Sequence, residues 1–131
     1  VKSITRNYPH WFARVYATHT DDRPPAFDQH QLLALIAPRP VFLGNARRDV
    51  WSDPNGAFRA AMGADPVYRL YGAKGLDQSR LRPYDPAAGI AFWLRPGTHG
   101  VVKEDWPAFL AFLGAHFEAK DGDGGGRIVS P

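Results

Sequence analysis

The 131 residues contain no cysteine, a single methionine and only four serines, Ser3, Ser52, Ser79 and Ser130. Without cysteine there is no disulfide, no thiolate metal site and no thiol nucleophile, although the compartment stays open. No Gly-x-Ser-x-Gly occurs, so the strand-to-helix elbow that exposes a hydrolase serine is missing from these residues. No apolar run reaches the about 18 residues of a membrane helix, and no signal peptide is visible. Charge is not massed either. Sixteen Lys and Arg stand against 13 Asp and Glu, a formal balance of +3. Twelve of the basic residues are arginines, scattered with no block of five or six. That distribution fits a solvated surface and argues against nucleic acid as a partner. No His-x-x-x-His or similar metal pattern is present. The run Gly122-Asp123-Gly124-Gly125-Gly126 follows a helix and precedes nothing structured, which argues against a phosphate loop.

What is present is a globular composition, 44% hydrophobic and 13% aromatic with four tryptophans. The length suits one domain. Residues 8–16 read as a helix after Pro9, with Trp11, Phe12, Val15 and Tyr16 on one stripe. Asp28 is placed to cap a short helix through Leu32, Leu33, Leu35 and Ile36, stopped by Pro38. Residues 41–43 form a continuous apolar strand of the kind found inside parallel sheets. Asp53-Pro54 opens a helix on which Phe58, Ala61 and Met62 share a face. Residues 67–71 read as a second strand and 90–94 as a third. Residues 72–89, with glycines and prolines, read as a surface lid or insertion. A last helix begins near Asp105-Trp106-Pro107 and runs to about residue 118, with Trp106, Phe109, Leu110, Leu113 and Phe117 inward. Residues 1–119 would be the domain, and 120–131 a flexible tail low in apolar content. This order implies an α/β class with about three parallel strands and right-handed crossovers.

Two motifs carry chemistry. The segment Asn45-Ala46-Arg47-Arg48-Asp49-Val50-Trp51 places Asp49 just after a strand. Gly97-Thr98-His99-Gly100 places a histidine after a later strand, 50 positions beyond that aspartate. An acid and then a histidine at successive strand ends is how α/β-hydrolases order the last two members of a catalytic triad. The glycines around His99 allow a tight turn that exposes the ring, but the histidine could equally just close a loop. Asp49 could cap the following helix, yet Asp53 already supplies that cap. Trp51, in a polar loop, could stack on a sugar ring or close over the sheet edge. His10 and His19, nine residues apart, are not at metal-ligand spacing, His30 reads as a structural histidine and His116 as a surface or core-edge residue.

Together these stretches resemble the C-terminal half of the glucuronoyl esterases. The resemblance is carried by Tyr8-Pro9-His10-Trp11-Phe12, the block from Phe27-Asp28-Gln29-His30 to Ala37-Pro38-Arg39-Pro40, and Asp49-Val50-Trp51-Ser52-Asp53-Pro54. Arg95-Pro96-Gly97-Thr98-His99-Gly100 and Asp105-Trp106 complete it, so that it covers about residues 3–118. It implies a partial α/β-hydrolase fold and hydrolysis of esters between glucuronic acid on xylan and lignin alcohols. The machinery it implies is serine, histidine and an acid, with no metal or cofactor. His99 would be the base and Trp51 the contact to the uronate sugar. The triad acid would be Asp49, a glutamate after an earlier strand upstream of Val1, or both, and Asp49 is the one that these residues can supply. The serine, an arginine beside it and a sugar-binding lysine would lie upstream of Val1, so the chain alone is expected to be inactive and to need that N-terminal half. Secretion or periplasmic export is also implied. Other readings are an acetyl-xylan or other carbohydrate esterase and a non-catalytic carbohydrate-binding remnant.

Overall fold

The computed structural model describes residues 2–20 and 22–117. Their centre is a parallel pair, β1 (Val41–Ala46) and β2 (Ile90–Arg95), in register from Val41 opposite Ile90 to Ala46 opposite Arg95. Alternation along a strand sends successive side chains to opposite faces. Ile90, Phe92 and Leu94, with Val41 and Leu43 beside them, pack toward Phe58, Ala61, Ala64 and Tyr68 of a long helix. The other face carries Phe42, which meets Phe109 and Phe112 of the last helix.

The helices follow from local chemistry. In α2 (Gln29–Ala34) the Asp28 carboxylate accepts from the Gln29 amide, while the Gln31 side chain accepts from the Asp28 amide, a capping box. His30 lies against Gly63, where a Cβ would come 2.8 Å from the His30 Cβ. That glycine permits close approach of α2 to α3 (Pro54–Leu70). Asp53 caps α3 by accepting from the Gly56 amide at 3.0 Å. The last helix is α4 (Asp105–Phe117), and an N-terminal α1 (Lys2–Asn7) precedes two 3-10 turns, Pro9–Trp11 and Arg14–Thr18.

The sheet has two strands among the described residues, not three. Residues 67–70 belong to α3. Pro66 lies inside this helix, where it removes only one backbone bond, and the burial of Tyr68 outweighs that loss. Tyr68 is 0% exposed, on the same stripe as Phe58, Ala61 and Ala64, and its hydroxyl donates to the Arg39 carbonyl at 2.9 Å. The true stop is Gly72, at φ 71. Its amide donates to the Arg69 carbonyl, and that of Ala73 to the Tyr68 carbonyl, a Schellman motif. Met62 points outward, 51% exposed.

Residues 72–89 are not a lid. Leu76 is buried, its amide donates to Asp65, and the Tyr84 hydroxyl donates to the Ala108 carbonyl at 2.7 Å. Burial first, and then nearby Asp85, push the Tyr84 phenol up to about 12. The helix expected over residues 8–16 is broken by extended Phe12 into the two 3-10 turns. On α4, which is apolar all round, Ala108 and Phe112 are buried, whereas Trp106, Leu110 and Phe117 are exposed. The expected tail, 120–131, lies outside the described residues.

Tyr68→Phe is expected to cost about 1 kcal/mol, one partly offset hydrogen bond. Phe92→Ala, which empties the centre of the core, is expected to cost about 3–5 kcal/mol. Urea unfolding checks both, and a neutral Tyr68→Phe would contradict the anchoring of α3 to the segment before β1.

Candidate active site

The parallel ladder does not stop at the strand ends. The Arg47 amide donates to the Arg95 carbonyl and the Arg48 amide to the Gly97 carbonyl, each at 2.9 Å. These two bonds hold the segment after β1 beside the loop after β2. Asp49 closes a turn back onto β1, its amide donating to the Ala46 carbonyl at 3.1 Å. Opposite it, Gly97 at φ 98 and Gly100 at φ 129 adopt backbone conformations that side-chain-bearing residues rarely take, so the loop folds tightly and projects His99.

The outcome is a carboxylate–imidazole pair. His99 Nδ1 lies 2.7 Å from Asp49 Oδ2. Asp49 is 8% exposed, whereas the His99 side chain is 85% exposed. With Asp49 ionised, neutral His99 donates from Nδ1, leaving Nε2 as a free acceptor. Ser52 completes the carboxylate's surroundings. Its hydroxyl donates to Oδ2 at 2.7 Å and its amide to Oδ1 at 3.3 Å. The Ser52 hydroxyl first, and then the His99 hydrogen bond, hold the Asp49 carboxyl below its ordinary value, against the opposing effect of burial.

An imidazole oriented through Nδ1 and open at Nε2 can take a proton from a nucleophile and return it to a leaving group. Ser52 is badly placed to be that nucleophile, because its hydroxyl binds the carboxylate oxygen on the far side of the ring from Nε2. Asp49, Ser52 and His99 border a cavity of about 400 Å³ whose other walls include Phe42, Gly44 and Phe109. Among the described residues no cluster of three or more His, Cys, Asp or Glu is arranged to hold a metal ion.

Trp51 is 54% exposed and lies edge-on to Tyr8, ring centres 5.4 Å apart, while Tyr8 stacks on Trp11 at 4.3 Å. It does not line the cavity that Asp49 and His99 share. His116 Nε2 meets the Ala88 carbonyl at 3.1 Å, far along the fold from the site. Three residues of the site were not singled out from sequence in these roles: Ser52 as the donor to Asp49, and buried Arg95 with its half-buried partner Asp105 beneath the His99 loop. An arginine ending an otherwise apolar strand is the one signal that pointed to the pair, since a buried cation needs a partner.

No protein-family model matches the chain. Carbohydrate esterase MZ0003, from an unknown prokaryotic organism, is 42% identical over 120 residues, a match covering 88% of this chain and 28% of that protein. Among solved structures, a promiscuous CE15 esterase from a marine bacterial metagenome is 40% identical with a TM-score of 0.80, over 88% of this chain and 30% of that one. A glucuronoyl esterase from Solibacter usitatus is 34% identical with a TM-score of 0.76, over the same shares of 88% and 30%. The chain thus spans less than a third of the length of the relatives it matches. The resemblance to glucuronoyl esterases read from the residues is borne out by these proteins. The small parallel sheet with its helices is a partial version of their fold.

A depressed carboxyl pKa contributes stability that is present above the ordinary aspartate value of 3.8 and is lost as pH falls through the folded value. Ser52→Ala should therefore move the Asp49 titration upward, read from its carboxyl carbon by NMR. Asp49→Asn should remove that part of the acid limb of stability. An unchanged Asp49 titration in the Ser52 variant would contradict the hydrogen-bond assignment.

Proposed function

We propose that this chain supplies the acid and histidine of a serine-type carboxylic ester hydrolase of the glucuronoyl esterase kind, acting on uronate esters of a carbohydrate. The observation that carries the reading is the 2.7 Å contact between His99 Nδ1 and Asp49 Oδ2, with the ring otherwise open. The names of the similar proteins support the ester and the carbohydrate.

In this reading a serine from polypeptide outside the 131 residues attacks the uronate carbonyl. His99 Nε2 takes the hydroxyl proton as the tetrahedral oxyanion forms, then delivers it to the departing alcohol as the acyl-enzyme appears. Water repeats the sequence and releases the uronic acid. Asp49 holds the ring and stabilises the imidazolium formed at each stage, unaided or together with an upstream glutamate. Trp51 presents an aromatic face to the sugar from outside the cavity. Export to the periplasm or medium belongs to the same proposal. Among the described residues no helix is long and apolar enough to cross a membrane.

A second reading rests on a separate observation, the exposed Trp11 and Trp51 bracketing Tyr8. These rings suit sugar stacking without catalysis, as in a carbohydrate-binding remnant. The two readings separate when the chain is assayed alone and after joining to the serine-bearing portion of a similar esterase. The chain alone should show no turnover of benzyl glucuronate, whereas the joined protein should hydrolyse it and prefer it to acetylated xylan. In the joined protein Trp51→Ala should raise KM with little effect on folding. Turnover by the isolated monomer, or an inert but folded joined protein, would contradict the proposal.

A further inference from the structure

Arg95 ends β2 on the face that carries Ala91 and Trp93, and only 5% of it is exposed. A buried guanidinium is costly unless its donors are used, and here every nitrogen has a partner. Nε donates to Asp105 Oδ2 at 3.0 Å, Nη1 to the Pro96 carbonyl at 2.9 Å, and Nη2 to the Thr98 carbonyl at 3.0 Å and to the Gly100 carbonyl. Those three carbonyls belong to the loop that carries His99, two of them to its immediate neighbours. Asp105 is itself fixed, accepting from the Trp93 indole at 3.0 Å and from the Val102 amide at 3.0 Å. Burial raises its carboxyl pKa, but the Val102, Trp93 and Arg95 donors together outweigh that and leave it lowered.

Little else holds the loop. Thr98, His99 and Gly100 are all exposed, so packing does not fix them. Outside the arginine, and among the described residues, the loop's hydrogen bonds to the rest of the fold are Arg48 to Gly97 and Asp49 to His99. Gly97 also leaves room for the cation, since a Cβ there would lie 2.9 Å from Arg95 Nη1. A planar fork spanning several carbonyls is a geometry that a lysine ammonium, a single point of charge, does not reproduce.

We propose that Arg95, oriented by Asp105, is the positioning residue that sets the His99 loop and thereby selects the Nδ1–H tautomer of His99 facing Asp49. The inference rests on the Asp49–His99 pairing of the proposed function and adds to it the device that makes the pair. It is tested in the 131-residue chain with imidazole nitrogens and carbons labelled, so that the histidine tautomer is read from NMR shifts, with no need for turnover. Core methyl shifts of Ile90, packed with Phe58, Tyr68 and Phe92, report folding independently.

The unsubstituted chain should show neutral His99 predominantly as the Nδ1–H form. Arg95→Gln and Arg95→Lys should shift it toward the Nε2–H form with the Ile90 signals in place, and Asp105→Asn should do so partly. Variants that stay folded and keep the Nδ1–H form would overturn the positioning role while leaving the Asp49–His99 pair intact. An unsubstituted chain already dominated by Nε2–H would overturn the pair itself, and the inference with it. Loss of the fold in all three variants would also overturn it, because Arg95 would then hold the domain as a whole.

Discussion

Everything at the site depends on the parallel pairing of β1 with β2 in one register. Val41 opposite Ile90 fixes Ala46 opposite Arg95, and the next bonds, Arg47 to Arg95 and Arg48 to Gly97, follow from it. A slip of one residue would turn Phe92 and Leu94 out of the α3 core and move Arg95 away from Asp105. It would also separate the two loops that bring Asp49 and His99 together. The cost of such a slip in buried apolar side chains is what makes the 2.7 Å contact a consequence of folding. Above that frame, three donors on the carboxylate and an arginine under the histidine loop complete the orientation.

The surfaces around this frame are unusually apolar. In a parallel ladder, alternate residues of a strand bond to one neighbour. Val41 and Arg47 bond toward β2, so Phe42 and Gly44 turn their backbone groups to the opposite edge, where no strand pairs with them among the described residues. Beside Phe42 and Gly44 lies the apolar cavity walled also by Phe109 and the exposed Trp106 of α4, and Leu110 and Phe117 of the same helix are exposed too. An open strand edge flanked by apolar side chains invites a partner. In the proposed reading that partner is the serine-bearing part of the same domain, and the similar esterases are more than three times the length of the matched region.

The chemistry was more legible in the sequence than the packing. Asp49 and His99 stand out because each follows an apolar run and neither is needed as a cap: Asp53 caps α3, and the glycines at 97 and 100 shape the second loop. The cap of α2 and the starts of α3 and α4 were readable for the same local reason. Residues 67–71 were not, since a short run of β-branched and aromatic residues after a proline has the same pattern in a strand and at the end of a buried helix. Only the tertiary contacts of Tyr68 decide it. The inward face of α4 was legible only in part, with Phe109 packed on Phe42 but Trp106, Leu110 and Phe117 exposed, because a helix apolar on all sides carries no periodic signal. The Arg95 clamp is a set of backbone acceptors, and carbonyl groups leave no mark in a sequence.

In the proposed reading His99 is the proton-transfer base for a serine supplied from outside this chain. The most direct measurement is the rate at which a fluorophosphonate labels that serine in the joined protein, with His99 present and with His99→Gln. Labelling is expected to slow by at least about 10³-fold in the variant while the protein stays folded, as removal of a triad member does. Equal labelling rates in the two proteins would contradict it.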